Sequence, residues 1–480
     1  MPSHKLRLHT VERGLRAVVC PPVRFRMGNG LRLGVALWAV ISAPAAADDK
    51  GLDDAVKAYF EARRLADREE LAGQIEGLAG GDADKVGAAL RRVRLWQVAP
   101  GANGNFSIAT SSGATHIGTY QLADGYDFSK PHRVIVCMPG KEYRAAAILH
   151  QAGALLGDVA RKSVLVCSQW PGTDSFHQPG PTAGYLGMLM RSARKRIHCD
   201  SERTYLFGVG PGADAAWMTA LAHPDMFAGV VVLGGYPKLP YPEASYGFML
   251  ENLRNTPVLS VWRSAGDAAE GSGAHDVAAA NRLIVKLAQS KGLPIKGFEL
   301  PVDASGGTGR SVGDFGQGSG VPLDEINKLL SQPRAVKQDR VSHWFRYPAQ
   351  GRSGWLRQVD FKGQVWEDPQ LSIVPSADVD RNTFVAETLK DKLAFLGGVI
   401  EGQTIDIQTQ RCGRIELALT DGLIDWDSEV TISVNGQRRH ATRAGPSIRT
   451  MLESAYEAWE FQNPARARLQ FTVRSDFRDE

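Results

Sequence analysis

Residues 207–217 read FGVGPGADAAW. Ahead of them, Arg203–Phe207 has the look of a short, half-apolar strand. Behind them, residues 213–231 (ADAAWMTALAHPDMFAGVV) read as a helix and then a second strand. A strand that turns at once into a helix passes through a tight bend. Gly208, Gly210 and Gly212 suit such a bend because they carry no Cβ. Pro211 suits the first turn of the helix, where its fixed φ is pre-set and its missing N–H is not needed.

Working outward, the same rhythm runs through the middle of the chain. Apolar strands are expected at 133–138 (RVIVCM), 163–170 (SVLVCSQW), 203–208, 229–235 (GVVVLGG), 257–262 (PVLSVW) and 296–301 (KGFELP). Helical patterns such as AAAILHQAGALLGDVA and DVAAANRLIVKLAQSKG lie between them. Unbroken Val/Ile/Leu strands with helical crossovers imply a mostly parallel sheet with helices on both faces. Two further strands, NFSIAT and THIGTYQL, flank a hairpin signal at Ser111-Ser112-Gly113.

The two ends read differently. Residues 51–95 hold two amphipathic helical stretches, 53–78 and 83–96, broken by Gly80-Gly81-Asp82. After about 335 the segments IDIQT, RIELALT, EVTISVNGQ and RLQFTVRS alternate in period two, Asn435-Gly436 marks a hairpin, and RTMLESAYEAWEF reads as a helix. The expected order is therefore a leader at 1–47, a helical segment at 48–98, an α/β domain at 99–335 and a mostly β domain at 336–480.

The 480 residues carry a formal charge of +4. Residues 1–47 hold seven Lys/Arg against Glu12, a balance of +6, so the remainder carries −2. A near-neutral body gives no electrostatic ground for a nucleic-acid partner. Arg32, the apolar run LGVALWAVISA and Ala45-x-Ala47 before two acids make an export signal cut after Ala47. That run is too short to span a bilayer. An uncleaved anchor is the alternative, and Met27 is a candidate start. Past the leader, Cys137, Cys167, Cys199 and Cys412 show no metal spacing and no arrangement that demands a disulfide.

Residues 199–237, CDSERTYLFGVGPGADAAWMTALAHPDMFAGVVVLGGYP, resemble the nucleophile region of secreted α/β-hydrolase esterases and peptidases. Asp200, Arg203, Tyr205, His223-Pro224-Asp225, Phe227-Ala228-Gly229 and Gly234-Gly235 carry the likeness. Residues 120–140 resemble the same family's entry into its sheet, where the following loop helps form an oxyanion hole. The likeness spans roughly 115–335. The β part resembles, more weakly, a domain appended to some exported bacterial hydrolase-like proteins.

The resemblance implies an α/β-hydrolase-like fold and a Gly-x-Ser-x-Gly bend. The chain instead has glycine at 210, which cannot attack, and proline at 211, which has no N–H to lend to an oxyanion. The implied base belongs in the loop after KGFELP, yet no histidine lies between His275 and His343. The implied orienting acid belongs after PVLSVW, where Asp267 stands as a relic candidate or a plain turn residue. Ser264, Asp267 and His275 could form a local surrogate, though a Gly-rich loop argues against fixed geometry. His198-Cys199-Asp200 are consecutive and do not converge. His223 reads as a structural residue. Trp344, Trp355, Trp366, Trp426 and Trp459 read as core residues, with sugar stacking as the alternative. The expectation is a protein without cofactor or metal, inactive by the triad route, that binds an unidentified small molecule, peptide or glycan or acts as a scaffold. The alternative is an esterase or peptidase with a non-standard site.

Overall fold

The structure is a computed structural model and describes residues 45–96, 101–109, 113, 115–140, 144–168, 184–239, 241–264, 273–302, 310–316, 318–335, 338–366 and 378–473. Three helices come first: α1 (Ala45–Glu61), α2 (Leu65–Ala79) and α3 (Ala83–Arg92). The sequence reading joins the first two, and the structure breaks them at 62–64. Leu52, Val56, Tyr59 and Phe60 are buried on α1, and Ala72, Ile75 and Ala79 on α2. On one continuous helix these two stripes would point about 150° apart. The break lets both face the same core.

The central sheet comprises β1 (Asn103–Ala109), β2 (Thr115–Gln121), β3 (His132–Met138), β4 (Val164–Ser168), β5 (Cys199–Val209), β6 (Gly229–Leu233), β7 (Val258–Arg263) and β8 (Ile295–Leu300). Its order is β1-β2-β4-β3-β5-β6-β7-β8. β1 and β2 are antiparallel to their neighbours; β3 to β8 run parallel. The antiparallel pair accounts for the alternating, half-exposed pattern of 103–121, against the wholly buried β4 and β6. The Ser111-Ser112 part of the expected hairpin turn lies outside the described residues.

Helices cover both faces: α4 (Ala145–Leu156), α5 (Asp158–Arg161), α6 (Tyr185–Arg196), α7 (Pro211–Ala222), α8 (Gly273–Ser290) and α9 (Leu323–Leu329). Val134, Val136, Leu206, Val230 and Val232 pack with α6, α7 and α8 on one face. Ile135, Cys137, Leu165, Cys167, Phe207 and Val231 pack with α4 and α9 on the other. The apolar runs are continuous because successive residues feed opposite buried faces. This is the expected α/β-hydrolase-like architecture. Cys137, Cys167, Cys199 and Cys412 are all buried and unpaired.

The C-terminal part is β-rich, as expected, and has two more sheets. One, in the order β10-β11-β14-β17, contains β10 (Arg352–Ser353), β11 (Leu356–Phe361), β14 (Cys412–Leu419) and β17 (Ala467–Thr472). The other, β16-β15-β13-β12-β9, contains β9 (Arg340–Phe345), β12 (Ala394–Glu401), β13 (Thr404–Gln410), β15 (Glu429–Val434) and β16 (Gln437–Arg443). Both contribute to one core, with Val341, Phe345, Leu396 and Ile407 from one sheet and Leu356, Ile415 and Leu417 from the other. At the expected hairpin, Asn435 and Gly436 have φ of 50° and 75°, the paired positive values of a type I′ turn. The sequence reading passes over β9, β11 and β12, and over α10 (Arg381–Lys392) between them. α11 (Ile448–Ala458) leaves the β strands and shares a core with α1–α3, Trp96 and Phe461.

Candidate functional site

The bend after β5 stands at the carboxyl edge of the sheet. There the chain reverses its direction of travel between β4, β3 and β5, the usual place for a crevice in an open α/β sheet. Gly210 has φ 53° and ψ −120°, a backbone that side chains disfavour. Its N–H donates to the Leu233 carbonyl at 2.8 Å. Its own carbonyl accepts from the N–H groups of Ala213 and Asp214 at 2.9 and 3.1 Å, which starts α7. A Cβ at 208 would overlap the Gly212 carbonyl oxygen, and one at 212 would overlap the carbonyl of Met138. Glycine at these two positions is therefore set by the packing of strand against helix.

Position 210 is closed for a different reason. A Cβ there would overlap the carbonyl oxygen of Arg310, which comes from the loop after β8. In the hydrolase reading this is the loop that would carry the base. Here its described part, 310–316, is pinned as a compact turn. The Ser311 N–H donates to Asp314 Oδ2 at 2.8 Å. Arg263, at the end of β7, donates Nε and Nη2 to the Asp314 carbonyl at 2.8 and 2.5 Å, and Nη1 to the Pro301 carbonyl at 3.0 Å. Phe315 is buried in the core beneath.

Arg310 is also held by its side chain. Its Nη2 meets Asp214 Oδ2 at 2.5 Å, and Asp214 Oδ1 accepts the Tyr236 N–H at 3.1 Å. Burial raises the Asp214 pKa, while the Arg310 guanidinium pulls it the other way. The pair ties the first turn of α7 to the covering loop. A cleft beside the bend is lined by Met138, Ile148, Gln151, Phe207, Val209 and Arg310, among others. Among the described residues that line it, Arg310 is the one ionisable group, and it already has Asp214 as partner.

The other expected residues are scattered. The Ser264 hydroxyl donates to Glu299 Oε1 at 2.6 Å. Glu299 is also gripped by Arg282, whose hydrogen bonds hold its carboxyl below the usual range. Among the described residues, Ser264 therefore has an acid for its partner. Asp267 and the side chain of His275 lie outside the described residues. His223 caps the end of α7, its N–H donating to the Thr219 carbonyl at 2.9 Å, and burial lowers its pKa. The His198 ring stacks on Trp96 with centroids 3.9 Å apart, and its Nδ1 lies 3.0 Å from the Phe128 carbonyl. Burial pushes its pKa down to about 4, so this ring is a neutral packing element. Trp355 and Trp459 are buried; Trp344, Trp366 and Trp426 are partly buried against the cores.

Sequence reasoning missed Asp214, Arg263, Arg310 and Asp314. Two left a trace: Asp214 is the single charge in PGADAAWMTALA, and Arg310 is the single cation in residues 302–320. A lone charge in an apolar helix asks for a partner.

No family model matches the chain, and no curated protein does. Solved structures do. A thermostable esterase is similar at 15% identity and a TM-score of 0.37, over 48% of this chain and 64% of the esterase's own length. A fluorophosphonate-binding serine hydrolase of Staphylococcus aureus, with substrate bound, is similar at 13% and 0.36, over 48% of this chain and all of that one. An S-formylglutathione hydrolase of Agrobacterium tumefaciens is similar at 15% and 0.36, over 48% of this chain and 95% of its own.

Proposed function

We propose that this is an exported α/β-hydrolase-like protein that works as a binding or scaffold module and does not hydrolyse through a serine triad. One observation carries the reading. The space in which a nucleophile's side chain would stand at position 210 is filled by the Arg310 carbonyl. Three further features support it. Pro211 lacks the N–H that would meet an oxyanion, and one such donor is worth about 3 kcal/mol of transition-state stabilisation in serine hydrolases. The described part of the loop after β8 supplies an arginine where a base would be needed. Among the described residues, the lining of the adjacent cleft holds no acid and no imidazole.

The test is incubation of purified protein with a serine-directed phosphonate probe and with short-chain esters. No labelling and no turnover are expected, and Gly210→Ser alone restores neither, because a serine without its base loses most of its advantage. Ester hydrolysis that survives purification and is abolished by Ser264→Ala or His275→Ala would overturn the reading. Export is tested separately: the N-terminus of secreted material should be Asp48.

A further inference from the structure

Away from the bend itself, α2, α6 and α11 meet around Tyr456 and Trp459. The Arg68 guanidinium lies 4.2 Å from the Tyr456 ring centroid. The Arg191 guanidinium lies 5.0 Å from that ring and 5.7 Å from the Trp459 ring, and the Lys195 ammonium is 4.8 Å from Trp459. Trp459, at the end of α11, has φ 53°, a left-handed backbone that bulky residues rarely adopt. Its Nε1 is buried without a hydrogen-bond partner among the described residues.

The cations are held but not neutralised. Arg68 donates to the Tyr456 hydroxyl at 3.2 Å and to the carbonyls of Ala62 and Arg63 at 3.3 and 3.4 Å. Arg191 donates to the Tyr456 carbonyl at 3.4 and 3.2 Å, near the negative end of α11. Among the described residues, no carboxylate pairs with Arg68, Arg191 or Lys195, and the Lys195 ammonium stands over the Trp459 ring. The acids nearby have other bonded partners: Glu457 binds Arg468 at 2.7 Å, Glu460 binds Arg194 at 2.9 Å, and Asp67, whose carboxyl also feels the Arg68 charge, binds Arg64 at 2.6 Å. Glu453 is exposed and, like Arg68, acts on the Tyr59 hydroxyl. Burial first, and the neighbouring Arg191 charge second, lower the Lys195 pKa.

We propose that this cluster is a binding site for a phosphoryl group, whether free phosphate or the headgroup of an anionic lipid. Two guanidinium forks and an ammonium offer several donors to a compact, multiply charged oxyanion, more than a single carboxylate can use. The rings hold the cations in place by their faces without cancelling their charge. No residue of the cluster belongs to the bend, so the two proposals stand or fall apart.

The experiment is calorimetric titration with inorganic phosphate and, separately, acetate at one ionic strength of about 0.1 M. It is joined by co-sedimentation with phosphatidylglycerol or phosphatidylcholine vesicles. Phosphate should bind where acetate does not, and Lys195→Gln should weaken binding about tenfold, an easily read difference. Its unfolding midpoint should move only slightly, since Lys195 is exposed and gives up a single ring contact. Retention by phosphatidylglycerol alone would identify the headgroup as the source and supports the site equally. The proposal is overturned if neither phosphate nor phosphatidylglycerol binds, if acetate binds as well as phosphate, or if Lys195→Gln binds like the parent.

Discussion

Gly208, Gly212 and Gly153 make different demands on one residue type. At 208 and 212 a methyl group would run into backbone oxygen, and backbone cannot swing aside as a side chain can. Gly212→Ala should therefore cost about 2 kcal/mol or more, on the scale of an overpacked core. Gly153 lies inside α4, and a methyl group there would meet nothing within 4 Å. Gly153→Ala should stabilise by roughly 0.5–1 kcal/mol through helix propensity and the unfolded chain's entropy. Urea midpoints at constant slope decide both. His343 gives a second residue-scale expectation. Its ring is buried, its Nε2 meets the Gln350 carbonyl at 2.6 Å, and burial holds its pKa down at about 3. The unfolded chain binds the proton first, near pH 6.5. Stability from this group is complete above that pH and falls as pH drops from 6.5 towards 3, by about 1.4 kcal/mol per pH unit at the steepest. Urea unfolding between pH 7 and 4.5 should show at least this slope, since the buried His198 and His223 add to it, and His343→Gln should lower it by the share of one group; an equal slope in the variant counts against the assignment.

At the scale of elements, the sheet was legible because parallel strands buried on both faces spell themselves as short runs of Val, Ile and Leu. β3 to β8 fall within a few residues of where the sequence put them. The bend was legible too, since its glycines and proline answer local backbone needs. The covering loop was not. Arg310 lies 100 positions from Gly210, and its carbonyl, not its side chain, fills the space. A backbone atom leaves no mark in residue identity. The α1–α2 break was hidden for a related reason, since no Gly or Pro stands at 62–64 and only the shift of the buried stripe reveals it. β9 and β12 lie far apart in sequence yet pair directly, and their apolar content was too mixed to stand out. The loop itself can be tested. Arg263→Ala removes three charged hydrogen bonds to the carbonyls of Asp314 and Pro301, worth about 1.5–3 kcal/mol for such a group. Amide exchange should quicken at 311–316 while the strands of the sheet keep their protection. Unchanged exchange at 311–316 would mean that Arg263 is not the clamp.

Over the whole molecule, the helices at the start and the helix near the end complete one another. Leu452 and Met451 of α11 share a core with Val56, Ile75 and Leu90, some 360 to 400 positions earlier. Leu452→Ala should cost about 2–5 kcal/mol, as for other wholly buried leucines, although its core is separate from those on the two faces of the central sheet. Thermal unfolding followed by far-UV and near-UV signals should show the loss; a variant as stable as the parent would mean that this core contributes little.

The buried thiols give the molecule a chemical clock. Cys137 and Cys167 lie in the central sheet, Cys199 at the start of β5, and Cys412 in the β-rich part. Burial lifts the pKa of Cys167, Cys199 and Cys412 to about 12 and raises that of Cys137 as well, so an alkylating reagent meets almost no thiolate while the fold is closed. A chain beginning at Asp48 should therefore gain no label under native conditions. In a short pulse at rising denaturant, each molecule carries away a tally of which regions had opened. One adduct on Cys412 alone would report the β-rich part parting first, and four together would report a single cooperative opening.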